Sequence, residues 1–143
     1  MNTVHAWGDC NEQVDLAETV VNFCIKHLMP RIKTLDICVE LSDDMEHADG
    51  YCLSVTPREF VIEIDSRLKG ENFITALTHE MTHVKQHAKN ELKDINPFTK
   101  SWKGEEYIAM YSTVDEYMEL PWEEEAYKMQ EILLKKWLTE VTE

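Results

Sequence analysis

Residues 71–89 carry the feature that constrains this chain most: a helical repeat of apolar side chains that also contains His79-Glu80-Met81-Thr82-His83. At helical spacing, Phe73, Leu77, Val84 and Ala88 share one face, with Ile74 and Met81 beside it. Thr75, Thr78, Thr82, Lys85 and Lys89 make a second face, which reads as solvated. His79, Glu80 and His83 make a third. An amphipathic helix needs only two faces, so the third asks for a chemical reason. Histidines at i and i+4 lie one turn apart, and their ring nitrogens can converge on one ion. The glutamate after the first histidine stands beside that ion without ligating it, where it can take a proton from a water. With 6 His and 19 Glu in 143 residues, the pattern arises by chance about 0.03 times. Zinc suits it, because zinc takes imidazole nitrogen readily and lowers the pKa of bound water to about 7.

A catalytic zinc needs a third protein ligand. His87 lies near the same face, but each turn climbs about 6 Å along the axis, so it reads as a neighbour of the site or a surface residue. No histidine follows it. His5 falls in an N-terminal tail, His27 late in a helix and His47 in an acidic loop, and none has a motif around it. The carboxylates of Glu123, Glu124 and Glu125 remain. On a helical wheel Glu123 shares the apolar arc of Ala126, Met129, Leu133 and Trp137, whereas Glu124 and Glu125 point elsewhere. A charged carboxylate on a core-facing stripe is costly unless paired or bound to metal, which singles out Glu123. Complementing the helix dipole is reason enough for the other two.

Elsewhere the spacing predicts a first helix over 12–28, with Asn11 as N-cap and Pro30 as the stop. Strand character follows over 34–41, 51–55 and 59–65. In the last, Phe60, Ile62 and Ile64 alternate with Glu59, Val61, Glu63 and Asp65. Residues 90–120 read as irregular and rich in Trp and Tyr, and a final helix runs over 121–138 from Pro121. The order α-β-β-β-α-loop-α is that of one α+β domain spanning 1–143.

Lys and Arg number 14 against 28 Asp and Glu, a net charge of −14. That balance excludes autonomous nucleic-acid binding and an anionic membrane surface. Residues 105–143 alone hold 11 acidic and 3 basic residues, which gives a mild preference for basic or neutral peptides as substrates. No apolar run is long enough for a membrane helix, and the first residues lack the basic and apolar regions of a signal peptide, so a cytoplasmic protein is expected. Cys10, Cys24, Cys38 and Cys52 contain no C-x-x-C pair and are expected to be reduced.

The stretches THEMTHVKQ, WKGEEY and YMELPWEEEAY together resemble a gluzincin-type zinc metallopeptidase, in which H-E-x-x-H on one helix is joined by Glu from a later one. More closely, they are similar to a compact metallopeptidase family of phages and large viruses that carries H-E-M-x-H-x-x-Q followed by Y…PWExEA. The resemblance covers roughly residues 50–130. It implies a zincin-like α+β fold with an N-terminal helix, a small three-stranded sheet, an active-site helix and a C-terminal helix. It further implies Zn2+ held by His79, His83 and Glu123, Glu80 as catalytic acid/base, and a host cytoplasm as the workplace of a viral-type member. Thermolysin-like members place an Asp four residues after the ligand Glu, where this chain has Tyr127. SprT-like peptidases share H-E-M-x-H but use a downstream His, which this chain lacks.

The implied function is hydrolysis of peptide bonds in a peptide or protein substrate, through a zinc-activated water with Glu80 moving the proton. Tyr117 is the chosen donor to the oxyanion, over Tyr107 and Tyr111. Strand 59–65 is expected to take an extended peptide along its edge, with Glu63 and Asp65 favouring cationic side chains. Trp102 and Trp122 are expected in the core, or as walls of the cleft. The alternative is a zinc-binding regulatory or interaction protein that keeps the zincin fold without catalysis.

Overall fold

The computed structural model describes residues 1–45, 48–108 and 113–141, the last without its side chain. His47 and Tyr111 lie outside the described residues. The chain runs β1 (Thr3–Trp7), α1 (Asn11–Leu28), β2 (Asp36–Ser42), β3 (Gly50–Thr56), β4 (Glu59–Asp65), α2 (Gly70–Ala88), β5 (Leu92–Asn96), β6 (Thr99–Trp102), β7 (Glu105–Ile108), α3 (Val114–Met118) and α4 (Pro121–Val141). It is a mixed α+β arrangement with two sheets. No described helix is long and apolar enough to cross a membrane. All four cysteines are free thiols.

The first sheet has four strands in the order β1-β2-β4-β3, not three. The added strand is the segment containing His5, read from sequence as a tail. Its residues are mostly exposed, so no apolar alternation announces it. Long-range bonds hold it instead: Glu18 accepts from the Ala6 N–H at 2.9 Å, and Asn2 bridges to Leu35 and Ile32. β1, β2 and β4 are parallel, and β3 returns antiparallel on β4. Strand β4 is therefore interior, and β3 is an edge.

Phe60, Ile62 and Ile64 turn inward from β4 and pack with Ile37 and Val39 of β2 against α1 and α2. α1 and α4 also pack on α2, which leaves that helix little contact with water. Thr78 and Thr82, assigned by sequence to a solvated face, are fully buried. Their hydroxyls donate to the Thr75 and Thr78 carbonyls, so burial orphans no polar atom. Of that face only Thr75, Lys85 and Lys89 keep exposure. At the start of α1, Cys10 is the N-cap and Asn11 the first helical residue.

Helix α2 ends in a Schellman motif: Asn90 takes a left-handed φ of 59°, Glu91 N–H donates to Gln86 O and Asn90 N–H to His87 O. Arg58, from the β3–β4 turn, caps the same end by donating to Ala88 O at 2.6 Å. The described residues of 90–120 are not irregular: β5, β6 and β7 form an antiparallel meander, and the short α3 comes later. Lys103 and Gly104, at φ 50° and 91°, make the two-residue turn between β6 and β7 that a hairpin favours. Leu92, Trp102 and Trp122 form a small second core beneath the meander.

Leu77, fully buried between the sheet and the helices, reports on this packing. Leu77→Ala is expected to lower unfolding free energy by about 2–5 kcal/mol in urea titrations, with Ile132→Ser on α4 staying within about 0.5 kcal/mol.

Candidate metal centre

Three donors meet where α2 packs on α4. His79 and His83 stand one turn apart, their rings edge to face with centroids 5.1 Å apart. Glu123, in the first turn of α4, places Oε1 3.1 Å from Nε2 of His79 and Oε2 3.2 Å from Nε2 of His83. All three are buried, Glu123 to 4% exposure. Ligands about 2.0–2.2 Å from a tetrahedral ion lie about 3.3–3.5 Å apart, so this spacing needs only small adjustment to close on one. The group can hold a metal ion, and it is the only such cluster of His, Cys, Asp and Glu among the described residues. Glu124 is exposed, as its place on the wheel requires. His5 and His27 lie elsewhere: His5 on β1, and His27 against Glu140 at 2.9 Å.

Behind each imidazole stands a glutamine. His83 Nδ1 lies 2.8 Å from Gln86 Oε1, and His79 Nδ1 lies 2.7 Å from Gln130 Oε1. The Gln86 amide has one possible orientation, because its Nε2 donates to two pure acceptors, Trp122 O and Glu125 Oε1. Its carbonyl must then face His83, which places the proton of that ring on Nδ1 and frees Nε2 to ligate. Glu125 also accepts from Lys85 Nζ at 3.0 Å, so it has a structural partner and is more than a dipole complement. Sequence reasoning assigned no role to either glutamine. The signals were present: Gln86 is i+3 from His83, and Gln130 is i+7 from Glu123 on the same apolar arc. Tyr127, in place of the Asp of thermolysin-like chains, packs its ring on His79 at 4.7 Å. Gln130, one turn on, is the α4 residue that meets His79 Nδ1.

Charge and burial oppose each other here. Burial pushes the Glu123 carboxyl up, but hydrogen bonds and charge from His79 and His83 outweigh it and hold the group at about 2. The same contacts, with Glu80 and Gln86, raise His83 against the effect of its own burial. Glu80 is raised, chiefly by burial, with the two histidines opposing and Glu123 assisting. Gly50 lets β3 approach that carboxylate: a Cβ there would lie 3.2 Å from Glu80 Cγ and only 2.8 Å from Ile64 Cδ1.

The centre opens into a cleft of about 1110 Å³ bounded by α2, α4, the start of β3 and the meander. Tyr117 lines it and hydrogen-bonds Glu123; burial and that carboxylate raise its hydroxyl pKa. Tyr107 instead donates to Glu105 and packs on Trp122. Trp122 walls the cleft, while Trp102 belongs to the small core behind it. His87 lines the cleft without joining the donor group. The strand expected to receive a peptide is corrected: β4 is paired on both sides, and the edge strand of its sheet that lines the cleft is β3. Glu63 and Asp65 cannot select cationic side chains, since Asp65 is engaged by Arg67 at 2.9 Å and neither residue lines the cleft.

Compared with family models, curated proteins and solved structures, the chain matches none.

Gln86→Ala is expected to weaken metal binding about 10–100-fold while the fold persists, read by competition with a chromogenic chelator. The depressed Glu123 pKa contributes stability that is complete above the unfolded carboxylate value of about 4.3 and is lost as pH falls toward about 2. In chelator-treated protein the urea midpoint should therefore fall on acidification below pH 4, and Glu123→Gln should flatten that fall.

Proposed function

We propose that this chain is a zinc-dependent metallopeptidase of the compact gluzincin type, with a zincin-like fold and a cytoplasmic setting in keeping with four reduced thiols. One observation carries the reading: a buried His-His-Glu donor set beside a buried glutamate, in a cleft that runs past the free edge of β3. The motif resemblance in residues 50–130, which rests on these same residues and their neighbours, points the same way.

When bound, zinc supplies Lewis acidity to the scissile carbonyl and acidity to a water. The residues of the chain do the rest. Glu80 takes a proton from the water at its carboxylate and delivers it to the leaving amine. Its burial suits that task, because a raised pKa lets one carboxyl both accept and return a proton near neutral pH. Gln86 and Gln130 hold the two imidazoles with Nε2 aimed at the ion. Tyr117, kept neutral by its surroundings, retains a hydroxyl hydrogen to donate to the developing oxyanion. An extended peptide added to β3 would satisfy the unpaired backbone of that strand and run beside Glu80, which Gly50 lets the strand approach.

Glu80→Gln is expected to retain one zinc per chain and lose at least about 100-fold in hydrolysis of an unstructured protein such as casein. Glu123→Ala should lose zinc affinity by more than the roughly 100-fold ceiling of supporting residues. Wild-type protein that binds zinc stoichiometrically and cleaves nothing would overturn the peptidase reading in favour of a non-catalytic zinc protein.

A further inference from the structure

The acidity of the chain as a whole hides an opposite local fact: the cleft contains an ammonium group. Lys100, on β6, lines the cleft with its side chain 33% exposed. Its Nζ lies 5.8 Å from the centroid of the Trp122 ring, which leaves an aromatic face beneath the charge. Its ion-pair partner, Asp94 at 3.3 Å, is 59% exposed, so that pair is weak and screened by solvent. The charge of Lys100 is felt across the cleft. It adds to the burial that lowers His87, and it opposes the burial and Glu80 charge that raise the Cys52 thiol. Lys100 thus shares the lining of the cleft with His87 of α2 and Cys52 of β3.

The other end of the cleft has the opposite sign. Asp49 stands at the head of β3 beside Gly50, and its charge reaches Tyr127. Among the described lining residues, Lys100 is the only Lys or Arg, and Asp49 is the only carboxylate besides Glu80 and Glu123. The metal donors and Glu80 line the same cleft. A peptide extended along β3 thus meets an anion at the head of that strand and shares the cleft with one cation.

We infer that Lys100 and Trp122 form a subsite for a carboxylate of the substrate, either a Glu or Asp side chain or a chain terminus, to one side of the scissile bond. The inference deepens the metallopeptidase reading and rests on it. It replaces the mild preference for basic or neutral peptides that bulk composition suggests, because the nearest fixed charge governs a desolvated group more than distant surface acids do.

The test uses the full chain carrying Glu80→Gln, loaded with zinc, and peptides of one sequence capped at both ends with Glu, Gln or Lys flanking the cleavage point. A fourth peptide, the Gln form with a free C-terminus, distinguishes a terminal carboxylate from a side chain. Binding is read by calorimetry at low salt, and the change in tryptophan fluorescence that Trp122→Phe removes reports the subsite. The Glu peptide, or the uncapped Gln peptide if the terminus is the source, is expected to bind roughly tenfold tighter than the Lys peptide. Adding Lys100→Gln should level the panel, and adding Lys100→Glu should invert it, with zinc stoichiometry confirming that both remain folded. Equal binding across the panel, or a preference for Glu that survives Lys100→Glu, overturns the subsite. If no peptide binds while wild-type protein cleaves casein, the subsite alone is overturned. If wild-type protein also cleaves nothing, the peptidase reading falls with it.

Discussion

Everything in this molecule is arranged around one contact: the Glu123 carboxylate held between the Nε2 atoms of His79 and His83. A carboxylate at 4% exposure would ordinarily be a liability, since removing a charge from water costs several kcal/mol unless partners replace the hydration. Two imidazoles replace it here, and they lie on a different helix. Satisfying Glu123 therefore demands that α4 pack on α2 in one register. Gln86 reaches from α2 to Trp122 O and Glu125, and Gln130 reaches from α4 to His79, so the register is held from both sides.

The rest of the fold serves that crossing. The four-stranded sheet and α1 anchor α2 through Leu77, Met81 and Val84. The Schellman end and Arg58 stop the helix, and the chain turns directly into the meander. The meander in turn brings Lys100 over Trp122 and closes one side of the cleft. The edge strand β3 closes another, with Gly50 packed so closely that a Cβ there would crowd Ile64, the Glu63 carbonyl and Glu80. Polar side chains on α2 that periodicity assigns to water are accommodated because Thr78 and Thr82 bond to their own helix.

Legibility followed physical reach. The donor set could be read because its geometry is local: His79 and His83 are one turn apart, and Glu123 betrays itself as a charge on an apolar stripe. α1, β4, α2 and α4 were readable from their periods for the same reason. β1 and the meander were not, because their residues are mostly exposed and their stability comes from pairing with distant strands. Turn residues Lys103 and Gly104 were the one local hint of the hairpin, and Lys at a left-handed position gives a faint signal.

By itself the sequence determined which atoms can meet a metal, which glutamate stands beside them, and that one α+β domain must bury the helix bearing them. Only the tertiary structure decided which edge strand lines the cleft, which polar groups support each imidazole, and where the ammonium of Lys100 sits. The reason is range: i, i+4 spacing and amphipathic stripes are properties of a few turns of chain. Strand order, the α2–α4 register and the sign of charge along the cleft arise from contacts between residues tens of positions apart, which no local pattern encodes.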